Sequence, residues 1–276
     1  MADDSWSRWL NKERWGDHRH QAESALASVR DHILALADIR RGERVLDLGS
    51  GTGLLGLKAT ELIGPDGLVV FFDISRPALV SARQQEQPNR CLFVLGSALA
   101  CPFDDQSFEV MVARSVLIYL PDKQAAALEI GRVLCPGGRA ILFEPINRRM
   151  DRIIDMPGFD DVIDAYERAK DLSPMCDFDE QTLREAFERA GLSVHLEMTE
   201  STWPVRGKEW VHTLKYGAPA GYSGYDMLLA GGVTRKRADE FVAAGESYLG
   251  EQWRTMSCPA VYIIAGKVES QPSSSR

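Results

Sequence analysis

The chain has 276 residues, of which 45% are hydrophobic, a formal net charge of −8 and a pI near 5.3. This composition suits a globular core and one large α/β domain, or one domain with an insertion. The acidic balance argues against a nucleic-acid surface, since phosphate contacts need a basic stripe, and no apolar run approaches the ~20 residues that span a bilayer.

The short basic clusters Arg148-Arg149 and Arg235-Lys236-Arg237 read as solvated helix faces. The acidic N-terminus, Met-Ala-Asp-Asp-Ser-Trp, has no apolar core of a secretory leader. Five cysteines (Cys91, Cys101, Cys135, Cys176, Cys258) are an odd number without C-x-x-C spacing. Free thiols in the cytoplasm are therefore expected, with no metal site and no disulfide framework.

In chain order, Ala22, Leu26, Val29, Ile33 and Leu36 recur at helical spacing and predict an amphipathic helix. Arg41-Gly42-Glu43 leads into an apolar strand over 45–48 that carries Asp47. Three glycines at alternate positions follow, Gly49, Gly51 and Gly53, and then a helix over 54–62. Glycine tolerates φ > 0 and lets a ligand approach the backbone, so the unit reads as strand, tight turn and helix facing a ligand. A second strand over 68–72 ends in Asp73, where a carboxylate can accept hydrogen bonds from both hydroxyls of a ribose. The pattern is that of a nucleoside site.

The alternation continues with a helix over 77–87 and strands over 91–95, 108–113 and 139–143. Between the last two, a helix over 123–134 is stopped by Pro136-Gly137-Gly138. Residues 146–176 change rhythm and predict helices over the sheet edge. A helix over 179–190 stops at Gly191, and Leu192, Val194, Leu196 and Met198 alternate as a half-buried strand. A last strand covers 260–265. The stretch 203–256 is too long for an ordinary connection and is rich in Gly and aromatics. It reads as a partly helical insertion over the site, its aromatics serving either an apolar acceptor or a core of its own.

Gly51-Thr-Gly53-Leu-Leu-Gly56 formally fits the dinucleotide fingerprint G-x-G-x-x-G, a weak signal alone. The competing pattern is an acid, Asp47, followed by G-x-G-x-G. Downstream, Cys101-Pro-Phe-Asp-Asp-Gln-Ser-Phe108-Glu109-Val110 resembles the L-P-F-x-D-x-S-F-D-x-V that precedes the fourth strand of small-molecule methyltransferases. Arg132-Val-Leu-Cys-Pro-Gly-Gly138 resembles the R-V-L-K-P-G-G that leads into the fifth.

Over residues 42–145 the chain thus resembles class I methyltransferases dependent on S-adenosylmethionine (SAM), especially the ubiquinone and menaquinone C-methyltransferase group. The resemblance implies an α/β fold, a Rossmann-like three-layer sandwich whose seven-stranded, mostly parallel sheet has an antiparallel last strand. It divides the chain into an N-terminal helical cap (1–40), a SAM-binding core (41–202 and 257–268), the insertion (203–256) and a disordered tail (269–276).

By motif position, Gly49, Ser50, Gly51 and Gly53 line the methionine part of SAM, with Asp47 nearby. Asp73 takes the ribose, Ile74 packs on adenine, and Ser97 and Ala98 meet its edge. Gly96-Ser97-Ala98 stands where the family often has G-D-A, so one carboxylate contact is missing. Arg114 and Ser115, after the fourth strand, touch SAM or substrate. Candidates for a general base are His18, His20, Tyr119 and His212, and Glu144 at the fifth strand's end is a candidate for holding a substrate amine or hydroxyl.

Arg114-Ser-Val-Leu replaces the N-P-P-Y or D-P-P-Y of nucleic-acid amino methyltransferases, and it leaves no carboxylate there for a catechol-type Mg²⁺. The expected function is methyl transfer from SAM to a small organic acceptor, releasing S-adenosylhomocysteine (SAH), with no nucleic-acid partner and no membrane insertion. A homodimer is left open. The alternatives are a SAM-binding protein without transfer and an NAD-dependent oxidoreductase.

Overall fold

The structure is a computed structural model that describes residues 19–85, 91–150 and 153–268. His18, the side chain of His20 and the tail 269–276 lie outside the described residues. Seven strands form one sheet: β1 (Arg44–Leu48), β2 (Leu68–Asp73), β3 (Cys91–Leu95), β4 (Phe108–Arg114), β5 (Leu134–Pro145), β6 (Leu192–Val205) and β7 (Arg254–Lys267). The helices are α1 (Arg19–Ala37), α2 (Gly56–Leu62), α3 (Arg76–Arg83), α4 (Lys123–Val133), α5 (Asp160–Lys170), α6 (Glu180–Arg189), α7 (Gly207–Tyr216), α8 (Gly224–Ala230) and α9 (Arg235–Leu249).

The strand order is β3-β2-β1-β4-β5-β7-β6. From β3 to β5 every neighbouring pair is parallel. β7 enters near the far edge in the antiparallel sense. This is the Rossmann-like α/β sheet the sequence predicts, flanked by helices. Strand order reverses between β1 and β4, and the C-terminal ends of those two strands open the crevice where such sheets bind ligands.

The central strands are apolar along their length because helices cover them. Val45, Leu46 and Leu48 of β1 and Val110, Met111, Val112 and Ala113 of β4 are all fully buried. Helix starts are fixed by side-chain caps. Ser75 accepts from the Ala78 N–H at the start of α3, and Asp122 accepts from the Ala125 N–H at the start of α4.

One boundary departs from the sequence reading. Pro136-Gly137-Gly138 does not merely stop α4, because β5 already begins at Leu134 and pairs with Phe108. The register then jumps to Val110↔Arg139. The three residues form an irregularity within the strand, with Gly137 at φ +75°, and a Cβ on Gly138 would sit 2.8 Å from the Cys135 carbonyl oxygen.

The chain divides into two compact units. The sheet unit holds His20–Glu144, Glu180–Glu197 and the chain from Val261 onward. The helical unit draws on Pro145–Asp179 together with Met198–Ala260. The segment after Pro145, assigned from the sequence to the core, therefore packs with the insertion, α5 against α8 and α9. The reason is aromatic. Trp210 of α7 is fully buried against Phe241 of α9 (ring centroids 5.7 Å apart), and Phe241 meets Phe159 just before α5 (5.4 Å). Arg237 lies over Phe159 at 4.3 Å while its guanidinium binds Asp161 at 2.7 Å. Of the two roles the sequence left open for the insertion's aromatics, Trp210 takes the second, a core of its own.

Candidate nucleoside site

The glycine turn is built as its sequence implies. Gly49, Gly51 and Gly53 have φ of +65°, +52° and +94°. The amides of Gly49 and Ser50 both donate to the Phe72 carbonyl oxygen, at 2.8 and 3.1 Å, which ties the turn to the end of β2. A Cβ on Gly49 would fall 2.4 Å from Val116 Cγ2, so glycine here admits the segment after β4.

Asp73 is the clamp of this turn. One carboxylate oxygen, Oδ2, accepts from the Gly51 N–H at 2.7 Å, and the other, Oδ1, from the Ser75 N–H at 2.7 Å. A carboxylate offers about four acceptor positions, and these two bonds set its orientation. The next residue, Ile74, is 66% exposed, an apolar surface presented beside the carboxylate. Ser97 and Ala98 follow β3, which is joined to the same corner by the Gly96 N–H donating to the Asp73 carbonyl oxygen at 3.0 Å. The Ser97 hydroxyl accepts from the Leu99 N–H at 3.2 Å. Ser50 Oγ is buried and meets no hydrogen-bond partner among the described residues.

Asp47 turns the other way. It is 1% exposed, and its Oδ2 accepts from the Gly56 N–H at 2.7 Å, fixing the first turn of α2. Burial pushes its carboxyl up to about 8, against the pull of the Gly56 amide and with a smaller push from the charge of Asp73. A Cβ on Gly56 would lie 2.4 Å from Phe71 and 2.7 Å from that carboxylate oxygen. Asp47 therefore shapes the turn from behind.

On the other side of the switch, Ser115 adopts φ +53°, uncommon for a residue with a side chain. Its N–H donates to the Phe143 carbonyl oxygen at 2.8 Å. The chain then bends into a 3₁₀ turn, Leu117–Tyr119, over Glu144. Glu144 is fully buried at the end of β5. Its Oε1 accepts from the Val116 and Leu117 amides at 2.9 Å each, and Oε2 accepts from Ile118 at 3.3 Å. Burial raises its pKa to about 7, while the three amides and Arg114 act in the opposite sense. The carboxylate considered for a substrate amine is thus bound to backbone, and it holds the loop that carries Tyr119.

Arg114, the last residue of β4, is half-buried with its Nε enclosed and unpartnered among the described residues. Its guanidinium lies over the Phe143 ring at 5.9 Å. Burial pulls its pKa below the usual value, partly countered by Tyr119, Glu144 and Tyr262. His212 sits on α7 of the helical unit with its ring 5.4 Å from Tyr216. The structure therefore brings together Gly49, Ser50, Gly51, Gly53 and Asp73, with Ile74, Ser97 and Ala98 on adjoining segments. Arg114, Ser115 and Tyr119 are grouped at the neighbouring strand end.

A glycine turn braced by a carboxylate at the next strand's end, in an open parallel sheet, defines a protein that binds a nucleoside-type cofactor. Residues 39–190, more than half of the chain, match the methyltransferase-domain family, and the chain belongs to this family of SAM-dependent methyltransferases. The match displaces the dinucleotide alternative. Among curated relatives, the ubiquinone/menaquinone biosynthesis C-methyltransferase UbiE of Shewanella frigidimarina is 35% identical over 135 residues, 46% of this chain and 54% of that protein. The chain thus spans about half the length of the relatives it matches first. Among solved structures, the YcgJ protein of Bacillus subtilis aligns over 88% of this chain and 99% of its own, with a TM-score of 0.58 and 19% identity. Phosphoethanolamine N-methyltransferase 2 of Haemonchus contortus, in complex with phosphomonomethylethanolamine and SAH, aligns over 96% of this chain and 60% of its own, at 0.55 and 16%. These two likenesses are of fold.

Proposed function

We propose that the protein transfers a methyl group from SAM to a small organic acceptor. The observation that carries this reading is the Asp73 clamp on the glycine turn, inside the segment that matches the methyltransferase domain. The cofactor fits what is present. The turn offers three glycines without side chains, Ser50 Oγ is a buried hydroxyl lacking a partner among the described residues, and Ile74 presents apolar surface next to a carboxylate. In this proposal Asp73 holds the ribose hydroxyls, Ile74 packs on adenine, Ser97 and Ala98 border its edge, and Gly49, Ser50, Gly51 and Gly53 line the methionine part. Asp47 is a positioning residue that acts through the Gly56 amide.

When bound, SAM supplies an electrophilic methyl group on a sulfonium, open to in-line attack. The chain's own residues supply orientation and dryness. Proximity and alignment can contribute ~7–11 kcal/mol to such a step. Glu144 contributes by fixing the 116–118 amides and thereby the place of Tyr119. A base is required only where the acceptor must lose a proton, and Tyr119 is the described candidate beside the strand ends. No helix among the described residues is long and apolar enough to cross a membrane. Five free cysteines support a reducing compartment such as the cytoplasm.

Calorimetric titration with SAM and SAH tests the reading, together with transfer of labelled methyl to a metabolite extract. Binding of both cofactors and a labelled small product are expected. Absence of SAH binding overturns the proposal, and binding without any transferred label favours a SAM-binding protein with another task.

A further inference from the structure

We infer that Arg114 binds an anionic oxygen of the methyl acceptor, so that the acceptors are carboxylates, phenolates or enolates with a flat apolar body. This rests on the methyltransferase reading above and names the substrate class of that site.

Arg114 carries a guanidinium that no carboxylate pairs among the described residues. Several other arginines have carboxylate partners, Arg44 with Glu109, Arg132 with Glu129 and Asp105, Arg139 with Glu43, Arg148 with Asp171, Arg206 with Glu209, and Arg237 with Asp161, whereas Arg41, Arg76, Arg83 and Arg168 are exposed to water. Arg114 has none among the described residues, and its Nε is enclosed without an acceptor. A guanidinium is permanently charged and carries five donors in a planar fork. Withdrawing it from water without a partner is unfavourable, and a ligand anion would reverse that.

Glu144 does not fill the role. Its two oxygens already accept three backbone amides, and burial raises its pKa to about 7, so near neutrality it is only a partial counter-charge. Tyr119 and Tyr262 are the other groups close enough to act on Arg114 electrostatically, and neither is a carboxylate.

Position separates the acceptor from the cofactor. The nucleoside groups belong to the ends of β1, β2 and β3. Arg114 pairs across the ladder with Phe143 of β5 and lies over its ring, on the other side of β4 from β1. Phe143 in turn meets Tyr262 of β7 with ring centroids 4.9 Å apart. A charged fork bordered by aromatic rings suits a planar anion better than an aliphatic amino acid. The methionine carboxylate of SAM remains the rival source of the same charge, and the experiment separates the two.

The test uses SAH-loaded protein titrated with benzoate, 4-hydroxybenzoate and 2-naphthoate, each against its methyl ester. At least one carboxylate should bind about tenfold or more tightly than its ester, the scale of a charge-assisted hydrogen bond. Arg114→Leu should abolish the preference, Arg114→Lys should restore part of it, and SAH affinity should stay unchanged in both. Equal binding of acids and esters overturns the inference, as does no binding by any acid. An Arg114→Leu variant that loses SAH affinity but keeps adenosine affinity also overturns it, and moves Arg114 to the cofactor. The comparison of acid with ester in the unaltered protein needs no variant to fold. Failure of the unaltered protein to bind SAH is a different result and removes the methyltransferase reading itself.

Discussion

At the β1–β2 end of the sheet a carboxylate, Asp73, is half-buried with both oxygens oriented by amides, while a second, Asp47, is sealed behind the turn. At the β4–β5 end the sealed carboxylate is Glu144, and beside it lies the half-buried cation Arg114, which no carboxylate among the described residues pairs. Both ends use a buried acid to hold backbone amides in place. They differ in what they present in front, a hydrogen-bond acceptor on one side and a fork of donors on the other. A buried acid that brackets main-chain donors fixes a loop, and the group it leaves in front defines the ligand.

The sharpest way to break this comparison is Glu144→Ala. It orphans the amides of Val116, Leu117 and Ile118, and each unsatisfied buried donor costs about 1–3 kcal/mol. We expect a loss of roughly 3 kcal/mol or more in chemical denaturation. Glu144→Gln, which keeps one acceptor oxygen, should recover part of it. A loss under about 1 kcal/mol for the alanine variant would mean the amides find water and Glu144 is not the anchor.

Asp73→Ala attacks the opposite end. Losing charge-assisted bonds of about 1.5–3 kcal/mol each should weaken SAH binding by about 100-fold in calorimetry. Unchanged affinity sinks the ribose assignment. Gly56→Ala probes the seal behind the turn. Its methyl would lie 2.4 Å from Phe71 and 2.7 Å from Asp47, and both are packed. Overpacking of this kind costs typically ~1–3 kcal/mol, a fall of a few degrees in melting temperature. A variant melting like the unaltered protein would show that α2 slides freely.

The smallest effect is in pH. Burial raises Asp47 to about 8 and Glu144 to about 7, both above their ordinary values. The folded state then keeps protons that the unfolded chain releases, so this contribution is full at acid pH and is lost as pH rises through those values. Melting temperature should fall between about pH 5 and pH 8, and Asp47→Asn should flatten part of the slope. A steeper slope in the variant would reverse the assignment.

Much of the first end was legible in the sequence, because local chemistry builds it. Alternating glycines after an apolar strand and an acid closing the next strand need only neighbours along the chain and one parallel pairing. The second end was less legible. Glu144 occupies a strand position whose partners lie elsewhere, its amides being 26–28 residues away. A sequence shows that a carboxylate stands at a strand's end, not which way it turns. The long strands β6 and β7 were underestimated for a related reason. Pro204 and Pro259 lie within them, and proline argues against a strand unless non-local pairing decides otherwise. The joining of 145–179 to the insertion depends on Phe159 meeting Phe241, a contact no periodicity reveals.

That joining has a consequence for synthesis on the ribosome. The helical unit ends at Ala260 and the sheet unit resumes at Val261, so a single strand, β7, completes both. Because β7 lies between β5 and β6, the sheet stays open at that place until β7 has emerged. Chains stalled just short of β7 should therefore be the ones most dependent on chaperones.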